Sequence, residues 1–148
     1  MRAVIQRVKH AKVTVDGTVV GEIGTGMLAL LGVEQGDCET DADYIIKKLS
    51  TIRIFEDGDG KMNLSLADIG GEILIISQFT LAGDARHGRR PSFSDAAAPD
   101  DALPLYNYTA DELSKSFPVA RGVFGADMDV ELVNQGPVTL LLDSRKRF

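Results

Sequence analysis

The sequence has no tryptophan, one cysteine, two histidines and few aromatic residues, and each shortage limits what the protein can be. Aromatic residues make up 6% of the chain and hydrophobic residues 44%, so Val, Ile and Leu must fill the core. The lone Cys38 excludes an internal disulfide and is typical of a reducing cytoplasm. Because the cysteine and the histidines lack the spacing of zinc ligands, we expect neither a metal site nor a cofactor.

Positive charge is also scarce, because 16 Lys and Arg residues stand against 22 Asp and Glu residues and leave a net charge of −6. This balance argues against broad, non-specific binding of nucleic acid, so any RNA partner must meet a local basic patch. Arg2, Arg7 and Lys9 interrupt the first apolar stretch, which predicts neither a signal peptide nor a membrane span. We therefore expect one compact cytoplasmic domain over residues 1–148 with no membrane partner.

The most distinctive stretch is Ile73–Leu81, in which a run of branched apolar residues precedes Ser-Gln-Phe-Thr-Leu. Such a run predicts a strand that is buried on both faces of a sheet. A regular strand would continue to Leu81 and would place Gln78 and Thr80 on the same face. Polar groups at the end of a buried strand must be hydrogen-bonded, either within the protein or to a ligand. The stretch alone fits a binding site and a strand that runs out into a loop equally well.

The apolar pattern of the remaining sequence predicts strands and two main helices, which places the chain in the α/β class. Helical spacing over Ala42–Ile52 predicts the first helix, for which Thr40 or Asp41 can cap the free amides. The segments with strand-like patterns are Ala3–Val8, Lys12–Val15, Met27–Val33, Val119–Val123, Met128–Val133 and Val138–Leu142.

The second helix follows Pro99, and its apolar residues again step by three and four. Pro104 lacks a backbone donor, so it is acceptable in the first turn of a helix but not in the interior. We therefore expect the regular helix to begin near Leu103 and to end at Pro118.

A glycine-rich loop follows the central stretch and carries the main basic cluster of this acidic chain. Its three arginines are Arg86, Arg89 and Arg90. The guanidinium group suits phosphate, and glycine allows a loop to close over a ligand, so these residues are candidates for phosphate contact. The competing interpretation is a solvated run of charge.

The last two predicted strands are separated by Asn134-Gln135-Gly136-Pro137, whose residue types build ordinary hairpin turns. An X–Pro bond is cis in only about 5–6% of cases in folded proteins, so a trans bond is the default expectation. Composition alone does not place this turn in an active site.

Two of these stretches together resemble the signature motifs of the D-aminoacyl-tRNA deacylase family. Further resemblances occur in the opening strand, in the basic loop and in a third recurring segment. Each match is weakly specific by itself, but five matches in the right order over the whole chain are a strong signal. The matching segments are Met1–Val8, Ser77–Leu81, Gly88–Phe93, Phe124–Met128 and Asn134–Thr139.

The resemblance implies a homodimer with a single layered β/β/α domain of mixed sheets and two main helices. It implies hydrolysis of the ester that joins a D-amino acid to the terminal adenosine of tRNA, and of glycine mischarged onto tRNA. Such a reaction is a chiral proofreading step that keeps D-amino acids out of translation, and it would take place in the cytoplasm.

The resemblance also implies roles for particular residues. The pocket of one subunit would be lined by the catalytic residues Ser77, Gln78, Phe79 and Thr80. Gly136 and Pro137 would form a cis dipeptide that reaches into the pocket of the other subunit and rejects L-aminoacyl-tRNA. The adenosine would be surrounded by Phe124, Gly125, Ala126 and Met128.

Ester hydrolysis needs a positioned water, a proton acceptor and donors for the developing oxyanion. Neither His10 nor His87 lies in a segment suited to rigid alignment beside a nucleophile, so no triad is convincing. This favours catalysis by positioning, with backbone amides near Phe79 and Thr80 as oxyanion donors. The ribose 2′-hydroxyl of the substrate could assist the water, as the family resemblance suggests.

Two alternatives stay open. A different hydrolase could use Thr80 as a covalent nucleophile, although it would need a base that the sequence does not reveal. A non-catalytic module that binds RNA ends or other proteins would leave D-aminoacyl-tRNA intact.

Overall fold

The computed structural model describes residues 1–148, and its sheet is built on the long strand β1 (Arg2–Val15). One edge of β1 pairs antiparallel with the long strand β8 (Asp129–Asp143). The other edge is shared, because β3 (Gly26–Gly32) pairs with the first half of β1 and β2 (Thr18–Ile23) pairs with the second half. Beside β3 the sheet continues with the central strand β6 (Glu72–Ser77) and then with the short edge strand β7 (Val119–Arg121).

The sheet is mixed, because the strands beyond β3 pair in parallel whereas those around β1 pair antiparallel. β6 (Glu72–Ser77) runs parallel to β3, and β7 (Val119–Arg121) runs parallel to β6. Two longer helices, α1 (Glu39–Thr51) and α3 (Pro99–Ser114), lie in the connections. A small hairpin of β4 (Phe55–Glu56) and β5 (Met62–Leu64), the single turn α2 (Leu66–Ile69) and a 3-10 helix (Phe79–Ala82) complete the chain.

Two hydrophobic clusters divide the domain into layers. The larger cluster lies between the sheet and the two longer helices. The smaller one lies between β3 and β6 on one side and the second half of β1 with β2 on the other. The central strand serves both, since Ile73 and Ile75 belong to the first cluster and Leu74 and Ile76 to the second. The layered β/β/α architecture with mixed pairing and two main helices is thereby confirmed, as is a central strand buried on both faces.

The central strand is shorter than predicted, because β6 ends at Ser77 and the chain then enters the 3-10 helix. The physical reason is the loss of a partner. The Gln78 amide still donates to the Leu31 carbonyl at 2.8 Å, but β3 ends at Gly32, so no neighbouring strand is left to pair with Phe79 and beyond. The alternation of side chains predicted as far as Leu81 is therefore wrong.

The turn predicted within the last third of the chain is not a hairpin turn. β8 is one continuous strand that pairs with β1 on both sides of the expected turn. Gln6 is opposite Thr139 and Val8 is opposite Asn134, so five steps along β8 match two steps along β1. Residues 135–138 are therefore looped out of the ladder as an enlarged β-bulge. We call residues 134–138 the β8 bulge.

Both predicted helix starts need correction. The N-cap of α1 is Cys38 rather than Thr40 or Asp41, although the Asp41 carboxylate accepts a hydrogen bond from the Cys38 amide at 3.0 Å. That carboxylate satisfies a backbone donor that the helix itself cannot.

α3 begins at Pro99 rather than near Leu103, because proline suits the first helical position. Pro104 consequently lies inside the helix, Leu103 is 39% exposed, and the helix ends at Ser114 rather than at Pro118.

Candidate active site

The segment that follows β6 is held in place mainly by its backbone. Besides the bond from Gln78 to Leu31, the Leu81 amide donates to the Gln78 carbonyl at 3.2 Å and the Gly83 amide to the Thr80 carbonyl at 2.9 Å. The amides of Phe79 and Thr80 begin the 3-10 helix and donate no hydrogen bond within the chain. These two donors are available to an acceptor from outside, because the first amides of a helix have no intrahelical partner.

Close packing at Gly32 fixes where this segment lies. A Cβ atom on Gly32 would come within 2.9 Å of the Gln78 carbonyl oxygen and 3.0 Å of the Leu81 Cβ, so only glycine allows the approach. The Arg2 guanidinium adds a second support, since its Nη1 donates to the Leu81 carbonyl at 2.8 Å. The segment therefore has a defined position although Phe79 and Thr80 are themselves exposed.

Two cavities open beside this segment, and Ser77, Phe79 and Gly125 line both. The larger, of about 370 Å³, is mainly apolar and is closed by α3 residues and Phe124. The smaller, of about 250 Å³, extends past Gln78 to the backbone turn that follows Gly125. Gly125 has a φ of +78°, a left-handed conformation that suits glycine at such a turn.

Tyr106 of α3 forms part of the back wall of the larger cavity. Its hydroxyl donates to the Ile75 carbonyl at 3.0 Å, and its ring lies 5.7 Å from the Phe124 ring, centroid to centroid. Burial raises the pKa of Tyr106 to about 12, so the phenol stays protonated and keeps its donor. α3 is thus tied both to the central strand and to the segment that begins at Phe124.

The hydroxyl of Thr80 has a neighbour that does not activate it. The Gln78 Nε2 donates to the Thr80 Oγ1 at 2.6 Å. A nucleophilic hydroxyl needs a base that accepts its proton, whereas an amide N–H supplies one. The hydrogen-bond partner of Thr80 is therefore not of the kind that covalent catalysis requires.

The β8 bulge is held by side chains rather than by the strand ladder. The Asn134 Oδ1 accepts from the Val138 amide at 2.8 Å, and the Asn134 Nδ2 donates to the Val138 carbonyl at 3.3 Å. The side chain of Asn134, at the start of the bulge, is thus bonded to the backbone of Val138 at its end. Gly136 and Pro137 at its tip are exposed, and the bond between them is cis.

Arg7 supports the bulge from beneath. Only 3% of Arg7 is exposed, and its guanidinium donates to the Gln135 carbonyl at 3.0 Å, to the Ile54 carbonyl at 2.7 Å and to a Glu56 carboxylate oxygen at 3.3 Å. A Cβ atom on Gly136 would lie 2.6 Å from the Arg7 Nη2, so glycine is what allows the arginine to pack against the bulge. The direction of the Gln135 carbonyl is fixed in consequence.

The arginine loop (residues 84–92) is closed at its neck and open at its tip. Asp84 and Ser92 exchange backbone hydrogen bonds of 2.7 and 2.8 Å. Arg86 contacts the Asp84 carboxylate at 2.7 Å, and its hydrogen bonds lower the pKa of Asp84 to about 2. Arg89 and Arg90 are exposed and form no ion pair with the chain, so their charges are free.

Comparison with known proteins places these features in a family. The family model described as D-Tyr-tRNA(Tyr) deacylase matches residues 4–143. The chain belongs to that family. It is 56% identical to the D-aminoacyl-tRNA deacylase of Thermosipho melanesiensis and 57% identical to that of Anaeromyxobacter dehalogenans, over the full length of each pair. A solved structure of a "c-Myc DNA Unwinding Element Binding Protein" matches with a TM-score of 0.91 at 38% identity, covering 97% of this chain and 98% of that one.

This deacylase-family member is a hydrolase, and its fold brings together only some of the residues that the resemblance singled out. The cavities collect Ser77, Gln78 and Phe79, together with the residues expected at the adenosine, which are Phe124, Gly125, Ala126 and Met128. Thr80 lines neither cavity, and neither do Gly136 and Pro137. No group of three or more His, Cys, Asp or Glu side chains could hold a metal ion.

Sequence reasoning missed two residues that position the β8 bulge, Arg7 and Asn134. A signal for Arg7 was present, because it follows Ala3 and Ile5 on the inward face of an alternating strand, where a charge needs a buried partner. The signal for Asn134 was obscured because its residue type suits an ordinary turn. Separately, none of the helices combines the length and the apolar character that crossing a membrane requires.

Proposed function

We propose that this chain hydrolyses the ester bond of D-aminoacyl-tRNA, releasing free tRNA and the D-amino acid. The observation that carries the proposal is the family match over residues 4–143, together with two of the matching segments, Ser77–Leu81 and Phe124–Met128, which contribute residues to the same pair of cavities. The substrate named for the relatives fits a site that offers the free amides of Phe79 and Thr80 beside apolar walls. The cytoplasm is the compartment that such a substrate requires.

The free amides of Phe79 and Thr80 support a specific mechanism. They would donate to the carbonyl oxygen of the ester as it acquires negative charge, and each such donor contributes about 10²–10³ in rate. A water molecule would attack the carbonyl carbon, assisted by the ribose 2′-hydroxyl of the substrate. The tetrahedral intermediate would then release the 3′-hydroxyl of the terminal adenosine and a free amino acid. The adenosine itself would sit against Phe124, Gly125, Ala126 and Met128.

A covalent route through Thr80 is disfavoured by geometry. The side-chain Nε2 of Gln78 donates to the Thr80 hydroxyl, and no base is among the hydrogen-bond partners of that hydroxyl. The mechanism by positioning asks only for a backbone amide at Thr80, and that amide is free.

A homodimer would bring together the two signature motifs that one chain keeps apart. Residues of the β8 bulge line neither cavity, so the bulge would have to reach the pocket of a second copy. β8 pairs only with β1, which leaves its other edge without a strand partner. Exposed apolar side chains follow the same strand, with Leu141 60% and Val133 41% exposed. An unpaired edge with exposed apolar residues is typical of a surface that pairs with another chain.

The β8 bulge of the second copy would then act as the chiral filter. Backbone carbonyls near Gly136 and Pro137 would accept hydrogen bonds from the α-amino group of the substrate and would occupy the space that an L-side chain needs. Glycine has no Cβ, so glycyl-tRNA would pass the same filter. This proposal is supported by the hydrogen bonds from Asn134 and Arg7 that hold the bulge in place. Steric exclusion of an L-side chain requires a rigid backbone.

Contact with tRNA phosphates would be local. Arg89 and Arg90 carry free charge on a chain that is otherwise acidic, whereas the charge of Arg86 is balanced by Asp84. Neutralising Arg89 and Arg90 should flatten the salt dependence of tRNA binding by a log–log slope of roughly 0.7–0.9 per lost phosphate contact. An unchanged slope would show that the loop is only solvated.

A non-catalytic nucleic-acid module is the second candidate, because the solved structure that is 38% identical is named as a protein that binds a DNA element. The net charge of −6 disfavours duplex DNA as the main ligand of this chain. Hydrolysis separates the two candidates directly.

The deciding experiment compares one matched pair of substrates, D- and L-aminoacyl-tRNA carrying the same amino acid on the same tRNA. Purified protein should release the D-amino acid and leave the L-ester intact, with glycyl-tRNA hydrolysed as well. Light scattering on the same sample should give about twice 15.9 kDa. Persistence of the D-ester would refute the deacylase, and full activity of a monomer would refute the shared pocket.

A further inference from the structure

Two phenyl rings touch on the surface of a chain that has few aromatic residues. Phe79 is 58% exposed and Phe93 is 37% exposed, and their centroids lie 5.2 Å apart at an interplanar angle of 73°. An edge-to-face pair is a favourable arrangement, so each ring helps to fix the other. A contiguous pair of exposed rings is a candidate binding surface, whereas a single exposed apolar side chain is common and has no such meaning.

The pair lies between the cavities and the arginine loop. Phe79 lines both cavities, whereas Phe93 lines neither and directly follows the loop neck at Ser92. The Phe93 ring also packs against Gly83, where a Cβ atom would come within 2.9 Å of the ring Cε1. Phe93 is therefore held from two sides, on the path that leads from the cavities to Arg89 and Arg90.

We propose that Phe79 and Phe93 form a stacking platform for a single-stranded RNA base, namely the base of the nucleotide that precedes the terminal adenosine. The assignment rests on the proposed function, which puts the terminal adenosine in the cavities. The next base along the strand then meets Phe93, and the phosphates beyond it meet Arg89 and Arg90. Aromatic rings flanked by free cations are the combination that binds single-stranded nucleic acid without demanding a particular base.

A binding experiment tests the platform without relying on hydrolysis. The probe is a fluorescent RNA oligonucleotide that ends in cytidine-cytidine-adenosine, with a second probe that is abasic at the penultimate position. The variants are Phe93→Ala, Phe93→Leu, which keeps apolar bulk without a stacking face, and Phe93→Trp, which enlarges that face. The control is Phe148→Ala, because Phe148 is a 65% exposed ring at the end of the chain.

Stacking of one base on an aromatic ring predicts a loss of about 5- to 150-fold in affinity for the Ala and Leu variants. The abasic probe should lose the same factor with the unmodified protein, and combining it with Phe93→Ala should add no further loss. Phe93→Trp and Phe148→Ala should bind like the unmodified protein. The platform would be overturned if Phe93→Ala weakened binding of the abasic probe as much as it weakens binding of the intact probe. Unchanged binding of the intact probe by Phe93→Ala would overturn it as well.

Kinetics separate failure of the platform from failure of the proposed function. Phe93→Ala should raise the KM for D-aminoacyl-tRNA by the same factor and leave kcat unchanged, with no effect on D-aminoacyl-adenosine, which lacks the penultimate base. A loss on both substrates would mean that the ring shapes the cavity instead. A halved mass in light scattering would assign the rings to an interface between copies. If the probes bind as predicted but no ester is hydrolysed, the platform stands and the deacylase does not.

Discussion

The segment after β6 and the β8 bulge carry the two signature motifs, but the protein holds them in opposite ways. Ser77–Thr80 is positioned by backbone hydrogen bonds and by close packing at Gly32. The β8 bulge has left its strand ladder and is positioned by the side chains of Arg7 and Asn134. Side-chain substitutions should therefore damage the bulge far more than the segment, even though the segment contains the residues proposed for catalysis.

The largest effect is expected from Arg7→Leu. The substitution leaves the carbonyls of Ile54 and Gln135 without their donor, which should lower the free energy of unfolding by about 2–5 kcal/mol. D-Aminoacyl-tRNA hydrolysis should fall about 10²-fold beyond the unfolded fraction, because the bulge no longer holds its position. Chemical denaturation and steady-state rates at a temperature where the variant is folded give both numbers.

Two further variants make the Arg7 experiment specific. Arg7→Lys keeps the charge but loses the planar fork, so it should retain the fold and still lose activity. Lys12→Ala on the same strand removes an exposed pair with Glu131 at 2.7 Å and should cost less than about 1 kcal/mol. Wild-type activity in Arg7→Lys would show that the guanidinium does not position the bulge.

Gly136→Ala should have the next largest effect. Gly136 has a φ of +124°, which L-residues rarely adopt, and an added Cβ would lie 2.6 Å from the Arg7 Nη2. We expect a loss of about 1–3 kcal/mol in stability and a weaker discrimination between D- and L-esters. Gly58→Ala is the matched control, since no atom lies within 4 Å of its added Cβ. Equal stability and equal discrimination in the two variants would contradict a tightly supported bulge.

Asn134→Ala should be milder than either. It removes the hydrogen bonds that close the bulge, so about 1–2 kcal/mol of stability should be lost, and hydrolysis should fall less than in Arg7→Leu. Asn134→Asp keeps the acceptor for the Val138 amide and should recover part of the loss. Asn107→Ala, an exposed position on α3, controls for removal of an amide side chain. Denaturation midpoints of the three variants rank the contributions.

The same contrast explains how much of the molecule could be predicted from the sequence. An uninterrupted apolar run located the central strand, which is buried on both faces, and helical periodicity located both helices, because burial on one face of a helix leaves a repeating pattern. The family resemblance also indicated most of the residues that line the smaller cavity. The end of β6 was missed because a strand stops where its neighbour stops, and Gly32 lies 45 residues before Ser77 in the chain. The bulge was taken for a hairpin because the pairing partner that makes β8 continuous is the first strand of the chain.

The smallest effect is expected at Thr80, although it lies in the catalytic motif. Thr80→Ala removes a hydroxyl that accepts one hydrogen bond from the Gln78 side chain, and it keeps the backbone amide proposed as an oxyanion donor. Thr80→Val replaces the hydroxyl by a methyl group of similar volume and keeps the same amide. Because the segment is held by its backbone, both variants should fold normally and should lose less than about tenfold in D-aminoacyl-tRNA hydrolysis. Losing a nucleophile costs about 10⁴ or more in rate, so a loss on that scale in both variants, with an acyl-enzyme trapped from the unmodified protein by mass spectrometry, would establish the covalent route instead.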